Sequence, residues 1–516
     1  MIIDLVVAVV VTGALVVAGL TWFRVAQREH YVPGRVRVIA ALWRSRSGLD
    51  ATLDAVSVVL AFGAALAVLA SGGVRTTLTL LAVPAALLGA AVPLGLSVRG
   101  RTSRLAWTGR LKRLVAAWAV AAVVLGAGLW WALGVGATAV LAVTVPLTAD
   151  LALAVMDRVE RRLSAPFVAK AQQRLARVRP TVVAVTGSYG KTSTKGYIAH
   201  VLAASRAVVA SPASFNNRLG LSRAVNDHLV DGTEVFVAEM GTFGPGEIRE
   251  LCALFPPDVA VITTIGEAHL ERMGSREVIA AAKGEITERA KVVVLPIDDP
   301  LLARLAERCR ADGKRVVTVS TQGAAADVVV DEAAGQVRAG ETTLPLPDGV
   351  PHAVNLGVTL GVALALDVDP AGLAPRLTGS MPRAAHRAEV HAGAGLAVID
   401  DTYNANPVGA RAALDEAAAL AAERGGPLVV VTPGIVELGP VQAERNAAFA
   451  KAAAEAGARL VVVGRTNRAA LVAGAREGGT EPDVVGTREQ AVPVATAAAG
   501  EQGVVLYEND LPDHYP

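Results

Sequence analysis

The run Thr186-Gly187-Ser188-Tyr189-Gly190-Lys191-Thr192-Ser193 collects the residue types that hold a phosphate group. It follows a short apolar stretch, Val182–Val185, and leads into a helix expected over Ser193–Ala204. In such a strand–turn–helix the backbone N–H groups around Gly187, Ser188 and Gly190 and the start of the helix at Ser193 cradle anionic oxygens. Lys191 neutralises them, and the Thr192 hydroxyl can ligate Mg²⁺. The common eight-residue form of this loop begins with glycine where Val185 stands, so the match is to the shorter Gly-x-x-Gly-Lys-Thr form. The plain alternative is a tight turn between strand and helix.

Further candidates lie beyond the loop. Glu239 closes the apolar run Val235–Ala238, the place for a Mg²⁺ ligand or the holder of its water. It could equally be an ordinary loop carboxylate. His269 follows Ile262-Thr263-Thr264-Ile265-Gly266, just past another run. Lys283 falls on an amphipathic stretch, Ser275–Arg289, where the bland reading is a surface lysine, and Asn216-Asn217 could form no more than a turn.

The elements that must position these residues follow from the apolar runs Val182–Val185, Val235–Ala238, Val259–Thr263, Val292–Leu295 and Val316–Val319. They alternate with helical stretches, which argues for a mostly parallel α/β sheet. Ligands of such sheets bind at the carboxyl ends of strands, where the polar candidates fall. A second alternation, Leu396–Ile399, Leu428–Val431, Leu460–Val463 and Val504–Tyr507, predicts a smaller Rossmann-like α/β domain.

The N-terminal part differs in kind. Hydrophobic residues make up 53% of the 516-residue chain, charged residues 19%, and the mean hydropathy is +0.45. The excess is concentrated in five stretches, roughly 5–23, 53–71, 77–97, 114–133 and 135–155, each long enough to cross a bilayer. Met1-Ile2-Ile3-Asp4 lacks the basic start of a signal peptide, so the first is read as a retained helix. Arginines crowd the segments after the first, third and fifth stretches, whereas Ser71–Thr76 and Leu133–Gly136 are nearly uncharged. Positive-inside then puts the N-terminus outside and everything after residue 157 in the cytoplasm, on the inner face of a plasma membrane. The short gap between the last two stretches also allows a re-entrant pair. Asp150 lies inside the fifth stretch and is read as hydrated near the cytoplasmic interface, the alternative being a bundle-facing or substrate-facing carboxylate. A transporter reading is weaker, resting on Asp54 and Asp150 alone.

The net charge of +2 gives no signature of nucleic-acid binding. Cys252 and Cys309 have no metal-ligand spacing and read as buried thiols. The expected organisation is a transmembrane region (1–157), a basic connector (158–180) whose charges suit membrane lipid, a central ATP-binding domain of P-loop ATPase type (181–385) and a C-terminal α/β domain (386–516).

Six motifs in order carry a resemblance: Thr186–Ser193, Phe215-Asn216-Asn217-Arg218-Leu219-Gly220, Glu239-Met240-Gly241, Gly244-Pro245-Gly246-Glu247-Ile248, Gly266-Glu267-Ala268-His269-Leu270 and Ala282-Lys283-Gly284-Glu285-Ile286. Together they resemble the Mur ligases, ATP-dependent amide-bond ligases of peptidoglycan precursors. Asp400-Asp401-Thr402-Tyr403-Asn404-Ala405-Asn406-Pro407 resembles the MurF branch, which adds D-Ala-D-Ala. The resemblance implies that Lys191 holds the β/γ-phosphates of ATP, with Thr192, Glu239 and His269 on Mg²⁺ or its waters. It also implies that Lys283 is carbamylated beside a second Mg²⁺, that Asn355 of His352-Ala353-Val354-Asn355 lies on the adenine side, and that Asp401 and Asn404 face ribose and adenine with Tyr403 beside the base. Arg387, with Arg383 as a rival, would reach ATP phosphate on domain closure, and Asn216 and Asn217 would border the substrate.

The chain departs from the family in three places. A membrane region stands where the UDP-substrate domain would be. Leu506-Tyr507-Glu508-Asn509-Asp510 stands where a Lys-Gly-Ser-like turn would be, and Thr432-Pro433-Gly434 where a Gly-Asp turn would be. The expected function is a membrane-anchored ligase that joins a carboxylate acceptor, a cell-wall precursor or peptide, to an amino acid or dipeptide amine. A poly-γ-glutamate-type ligase and an ATP-binding membrane scaffold without catalysis are the alternatives.

Overall fold

The structure is a computed structural model. It describes all residues except Ser97, 101–104, 348–352, 378–380, 383–388, 392–394, Tyr403, Asn404 and Asp513. The chain divides into two units: residues 1–163 with 511–516, and residues 164–510.

The first unit is helical. Four of its helices are long and apolar enough to cross a membrane: Ile2–Arg28, Gly48–Leu69, Gly72–Ala91 and Gly109–Leu133. The fifth expected stretch is broken, with Val135–Val143 meeting Val145–Val178 at 72°. The longer limb runs on through the expected basic connector as one helix and contains Pro166.

Asp150 on that limb is not hydrated. It is buried, and it accepts hydrogen bonds from the backbone N–H groups of Gly34 (2.9 Å), Val36 (3.3 Å) and Arg37 (2.9 Å) and from Arg37 Nε (3.2 Å). A carboxylate there caps the N-terminus of the Arg35–Arg46 helix, satisfying donors that no intrahelical carbonyl can reach. The sequence expectation is thus corrected: Asp150 is a cap supplied from a distant helix.

The segment Leu511–Pro516 belongs to this helical unit. Trp43 Nε1 donates to the His514 carbonyl (2.8 Å), and His514 Nε2 lies 3.0 Å from Glu29 Oε1. Arg35 Nε donates to the other Glu29 oxygen (2.5 Å). Glu29, Arg35 and His514 are all buried, so each needs the others.

The second unit holds two sheets. The first has nine strands in the spatial order Val208–Ala210, Val235–Glu239, Thr181–Thr186, Val259–Ile262, Val292–Pro296, Arg315–Ser320, Val328–Asp331, Gln336–Ala339 and Thr342–Pro345. Neighbours run parallel as far as Val328–Asp331 and antiparallel beyond it. Side chains on one strand alternate between two cores: Val182 and Ala184 enter one, Val183 and Val185 the other. Both faces are covered, which is why these strands read as unbroken apolar runs.

The second sheet has the order Glu389–His391, Ala397–Asp401, Val504–Glu508, Leu428–Thr432, Arg459–Val463 and Asp483–Val485, with only the first pair antiparallel. The strands read from the sequence are present. The short edge strands were not read, because three or four half-exposed residues leave little pattern. Cys252 and Cys309 are free and buried, and burial pushes the Cys252 thiol up to about 12.

Candidate active site

Thr186 ends a central strand of the first sheet, and the Lys191–Leu202 helix begins five residues later. The turn between them requires glycine twice. Gly187 has φ +152°, and a Cβ there would lie 1.9 Å from Thr263 Oγ1. Gly190 has φ +77°, and a Cβ there would lie 2.3 Å from Asn355 Oδ1. Asn355, from the Ala353–Ala365 helix, also accepts from the Thr194 hydroxyl (3.2 Å) and buttresses the turn from behind.

The next strand end braces the other side. Ser188 N–H donates to the Thr264 carbonyl (2.8 Å), Tyr189 N–H to Thr264 Oγ1 (3.1 Å), and Gly266 N–H to Ser188 Oγ (2.9 Å). The Tyr189 phenol accepts from Glu267 N–H (2.8 Å), and burial pushes its pKa up to about 12. The first N–H groups of the helix, from Lys191, Thr192 and Ser193, have no intrahelical acceptor and crown this braced turn.

Glu239, at the end of the adjacent strand, lies in the same place. Its buried carboxylate accepts from Thr192 Oγ1 (3.0 Å), Lys195 Nζ (2.9 Å) and Asn216 Nδ2 (3.1 Å). Lys195 escaped the sequence reading. Its spacing was a usable signal, because residues three apart on a helix share a face and Thr192 and Lys195 both look down on the strand end. Asn217 is separate from this cluster: its Oδ1 accepts from Gly220 N–H (2.9 Å) and caps the Arg218–His228 helix.

Lys191 Nζ donates to the Gly187 carbonyl (2.8 Å). Lys283 is buried and makes no hydrogen bond or ion pair among the described residues. Burial, with Lys191 nearby, holds its amine well below the ordinary lysine value.

His269 stands at φ 64°, and its Nδ1 lies 2.6 Å from Glu437 Oε2. Burial lowers the imidazole, Glu437 pulls it up, and Lys283 and Lys191 push it down again; the net direction is down. Burial opposes ionisation of Glu437, but His269 and Arg272 together hold it at about 2. Arg272 also donates to Glu437 and stacks 4.6 Å over the Phe243 ring. Glu437 lies in the loop after Leu428–Thr432, so this contact joins the two sheets' layers, as does Arg445, forked onto Glu267 (2.7 and 2.9 Å).

Asp401 ends its strand in register with Glu508 of the neighbouring strand. Glu508 is fully buried, with one oxygen bonded to Thr432 and the other without a partner among the described residues. Burial, and then Asp401, push it up to about 8 against that hydrogen bond. Arg387, Asn404, Tyr403, His352 and Arg383 lie outside the described residues. Among the described residues, no three His, Cys, Asp or Glu side chains converge.

A glycine turn braced on both sides, a lysine, a buried carboxylate at the next strand end and a second, mostly parallel sheet define an α/β protein with a polar site at the carboxyl ends of its strands. Comparison with known proteins narrows this. Residues 185–356 match the Mur ligase middle domain, and residues 386–507 match the Mur ligase glutamate ligase domain. Through these two domains the chain belongs to the Mur ligase family, ATP-dependent ligases of peptidoglycan synthesis.

The UDP-N-acetylmuramoyl-tripeptide–D-alanyl-D-alanine ligase of Mycobacterium tuberculosis (strain ATCC 25618 / H37Rv) is 38% identical over 260 residues, covering 47% of this chain and 49% of that protein. The chain spans about half the length of these curated relatives. Among solved structures, MurF from Acinetobacter baumannii aligns with a TM-score of 0.56 at 26% identity, over 66% of this chain and 76% of that one. MurF from Thermotoga maritima in complex with ADP aligns with a TM-score of 0.54 at 26% identity, over 67% and 80%.

Proposed function

We propose that this chain is a membrane-anchored, MurF-like ligase that forms an amide bond at the expense of ATP, acting on a cell-wall precursor. The observation that carries the reading is the joint placement of the Thr186–Ser193 turn, Glu239 and a buried, unpaired Lys283. A scaffold that only bound nucleotide would have no use for a buried lysine, its pKa held down by burial, near the loop lysine. The curated relatives named for UDP-N-acetylmuramoyl-tripeptide and D-alanyl-D-alanine supply the precedent for acceptor and amine. The apolar helices motivate an acceptor presented at the membrane, with the ligase domains on the cytoplasmic side.

In this reading the turn is of P-loop type, and the second sheet is a Rossmann-like domain that closes on the nucleotide. A carboxylate oxygen of the acceptor attacks the γ-phosphorus of ATP; the bond to the leaving ADP breaks, and an acyl phosphate forms. A neutral amine then attacks the carbonyl carbon, phosphate leaves, and the nitrogen gives up a proton. The protein's part is positioning and charge compensation, which dominate phosphoryl transfer. Lys191 and the helix N–H groups hold the phosphate oxygens, and the Lys283 amine, once it has given up its ammonium proton, attacks the carbon of CO₂ and loses a second proton, so that the side chain becomes a carbamate anion.

Mg²⁺ suits the donor set. Thr192 and Glu239 present hard oxygens, and the buried ammonium of Lys195 already rests on Glu239, so the carboxylate sits where a cation is required. Those two residues would hold the ion, with His269 and the Lys283 carbamate as further ligands, and bound Mg²⁺ would neutralise phosphate charge.

Purified protein is expected to release ADP and phosphate only when a carboxylate acceptor and an amine are both supplied, and more slowly in CO₂-free buffer. Lys191→Ala should lower that release by about 10²–10³-fold, the usual loss for one charge-stabilising donor. ADP release that persists undiminished in Lys191→Ala, or that no acceptor from cell-wall extracts elicits, would remove the ligase reading.

A further inference from the structure

Lys195, on the Lys191–Leu202 helix, is 5% exposed. A lysine is rarely buried so deeply unless its nitrogen is paired. Here Nζ donates to two acceptors at once, the Ala213 carbonyl (2.5 Å) and Glu239 Oε2 (2.9 Å). Neither acceptor is on its own helix. Glu239 ends the Val235–Glu239 strand, and Ala213 lies in residues 211–217, which join the Val208–Ala210 strand to the Arg218–His228 helix.

Residues 211–217 form neither helix nor strand, and Ala213, Ser214 and Asn217 are exposed. Ala213 stands at φ 40°, a conformation that a residue other than glycine keeps only where its surroundings hold it. Much of that hold converges on Glu239. Its N–H donates to Ser211 Oγ (3.1 Å), and its Oε1 accepts from Asn216 Nδ2 (3.1 Å). Its Oε2 accepts from Lys195, which reaches Ala213, and from Thr192 Oγ1 (3.0 Å) at the phosphate turn. Phe215 adds packing against the core, and Gly241 N–H donates to the Asn216 carbonyl (2.8 Å).

We infer that Lys195 is a positioning residue: by bonding the Ala213 carbonyl and the Glu239 carboxylate together, it ties residues 211–217 to the helix that begins at the phosphate turn, so that turn and segment are held as one piece. The purpose of the tie rests on the ligase reading, in which Asn216 and Asn217 border the acceptor. The contacts themselves do not. An acyl phosphate forms only where acceptor and nucleotide meet at bonding distance, and a shift of about 1 Å in a positioning segment can cost on the order of 10²-fold in rate. Packing and tying make different demands on the side chain. Methionine has nearly the length of lysine and fills the same space, yet it cannot donate.

The test is hydrogen exchange of the full chain in phosphatidylglycerol nanodiscs, with and without Mn²⁺ and ADP. In Lys195→Met, residues 211–217 should exchange about tenfold faster or more, the usual weight of a hydrogen bond to a charged group. The Val259–Ile262 strand should keep its protection. Lys195→Arg, which keeps a donating cation, should recover part of the loss. In the wild-type chain, Mn²⁺ with ADP should slow exchange in residues 211–217 along with residues 186–193. In Lys195→Met the turn should still respond, and the segment should not. The wild-type arm needs no variant and covers a Lys195→Met chain that fails to fold. Two results would each overturn the inference: a wild-type segment indifferent to Mn²⁺ and ADP that slow the turn, and a folded Lys195→Met chain whose segment exchanges at the wild-type rate. Failure of ADP to slow the turn in any chain would instead count against the ligase reading, and the comparison of Lys195→Met with wild type without nucleotide would still decide the tie.

Discussion

At the scale of single residues, the contrast between Glu239 and Glu508 is instructive. Both are buried carboxylates at the ends of parallel strands. Glu239 has three donors, one of them a cation, whereas Glu508 has one hydroxyl and a neighbouring carboxylate. Raised from 4.5 to about 8, Glu508 keeps its proton in the folded chain where the unfolded chain has lost it. The folded state then binds more protons than the unfolded state between those values. Its contribution to stability is full below about pH 4.5, falls as pH rises, and levels off above about 8. Glu508→Gln holds the same shape without the proton. It should remove that slope and raise the melting temperature at pH 8, by about 2–4 °C for each kcal/mol recovered. Melting curves of both forms from pH 5 to 9 check this; a parallel pH dependence in the two would contradict it. Neither Glu508 nor Lys195 announced itself in the sequence. Lys191 and Thr192 did, because the whole turn is contiguous and its glycines report its shape. Lys195 acquires meaning only when Glu239, forty-four residues on, is brought beneath it.

At the scale of elements, the two loops that meet across the sheets, Gly266–Met273 and Gly434–Arg445, carry unequal contacts. Arg445 is 36% exposed, and an ion pair so open to water is worth about 1 kcal/mol or less. Glu437 and Arg272 are 19% and 14% exposed, and removing Glu437 strands a guanidinium and an imidazole that it satisfies. Glu437→Ala should therefore loosen the contact far more than Arg445→Ala. Hydrogen exchange of residues 266–273 would register this as faster exchange in Glu437→Ala and little change in Arg445→Ala, with the Thr181–Thr186 strand unaffected in both; equal effects would show that burial does not set the difference. His269 and Glu437 both adopt left-handed backbone conformations, φ 64° and 65°, which non-glycine residues take up only where the surroundings hold them. The sequence offered His269 as a metal-side residue and gave no hint of Glu437, since a contact between residues 168 apart leaves no local periodicity. The strands themselves were legible, because a sheet buried on both faces writes its strands as apolar runs. The breaks were not: the 72° bend at Thr144 falls within a stretch that hydropathy alone reads as continuous.

At the scale of the whole chain, the expected topology can be read with single cysteines. Cys252 and Cys309 are buried, so a membrane-impermeant maleimide on intact cells should leave the native chain unlabelled. Ser71→Cys and Glu332→Cys place thiols at exposed positions in the two units. Ser71→Cys should label from outside, and Glu332→Cys only after the membrane is opened. Labelling of Glu332→Cys on intact cells would reverse the orientation that the arginine pattern implies.

The contact between Glu29 and His514 sets a timetable for synthesis. The two residues are 485 apart in the chain, yet both are buried in the same helical unit. At ribosomal rates of 5–20 residues per second, roughly 25–100 s separate their emergence. Throughout that interval the helices around Trp43 lack the carbonyl that its indole bonds, and Glu29 lacks its imidazole. The nascent helical unit therefore lacks these contacts while the two sheets are being made, and gains them only when residues 511–516 dock. A chain interrupted anywhere in residues 164–510 leaves the helical unit without the His514 contacts to Trp43 and Glu29.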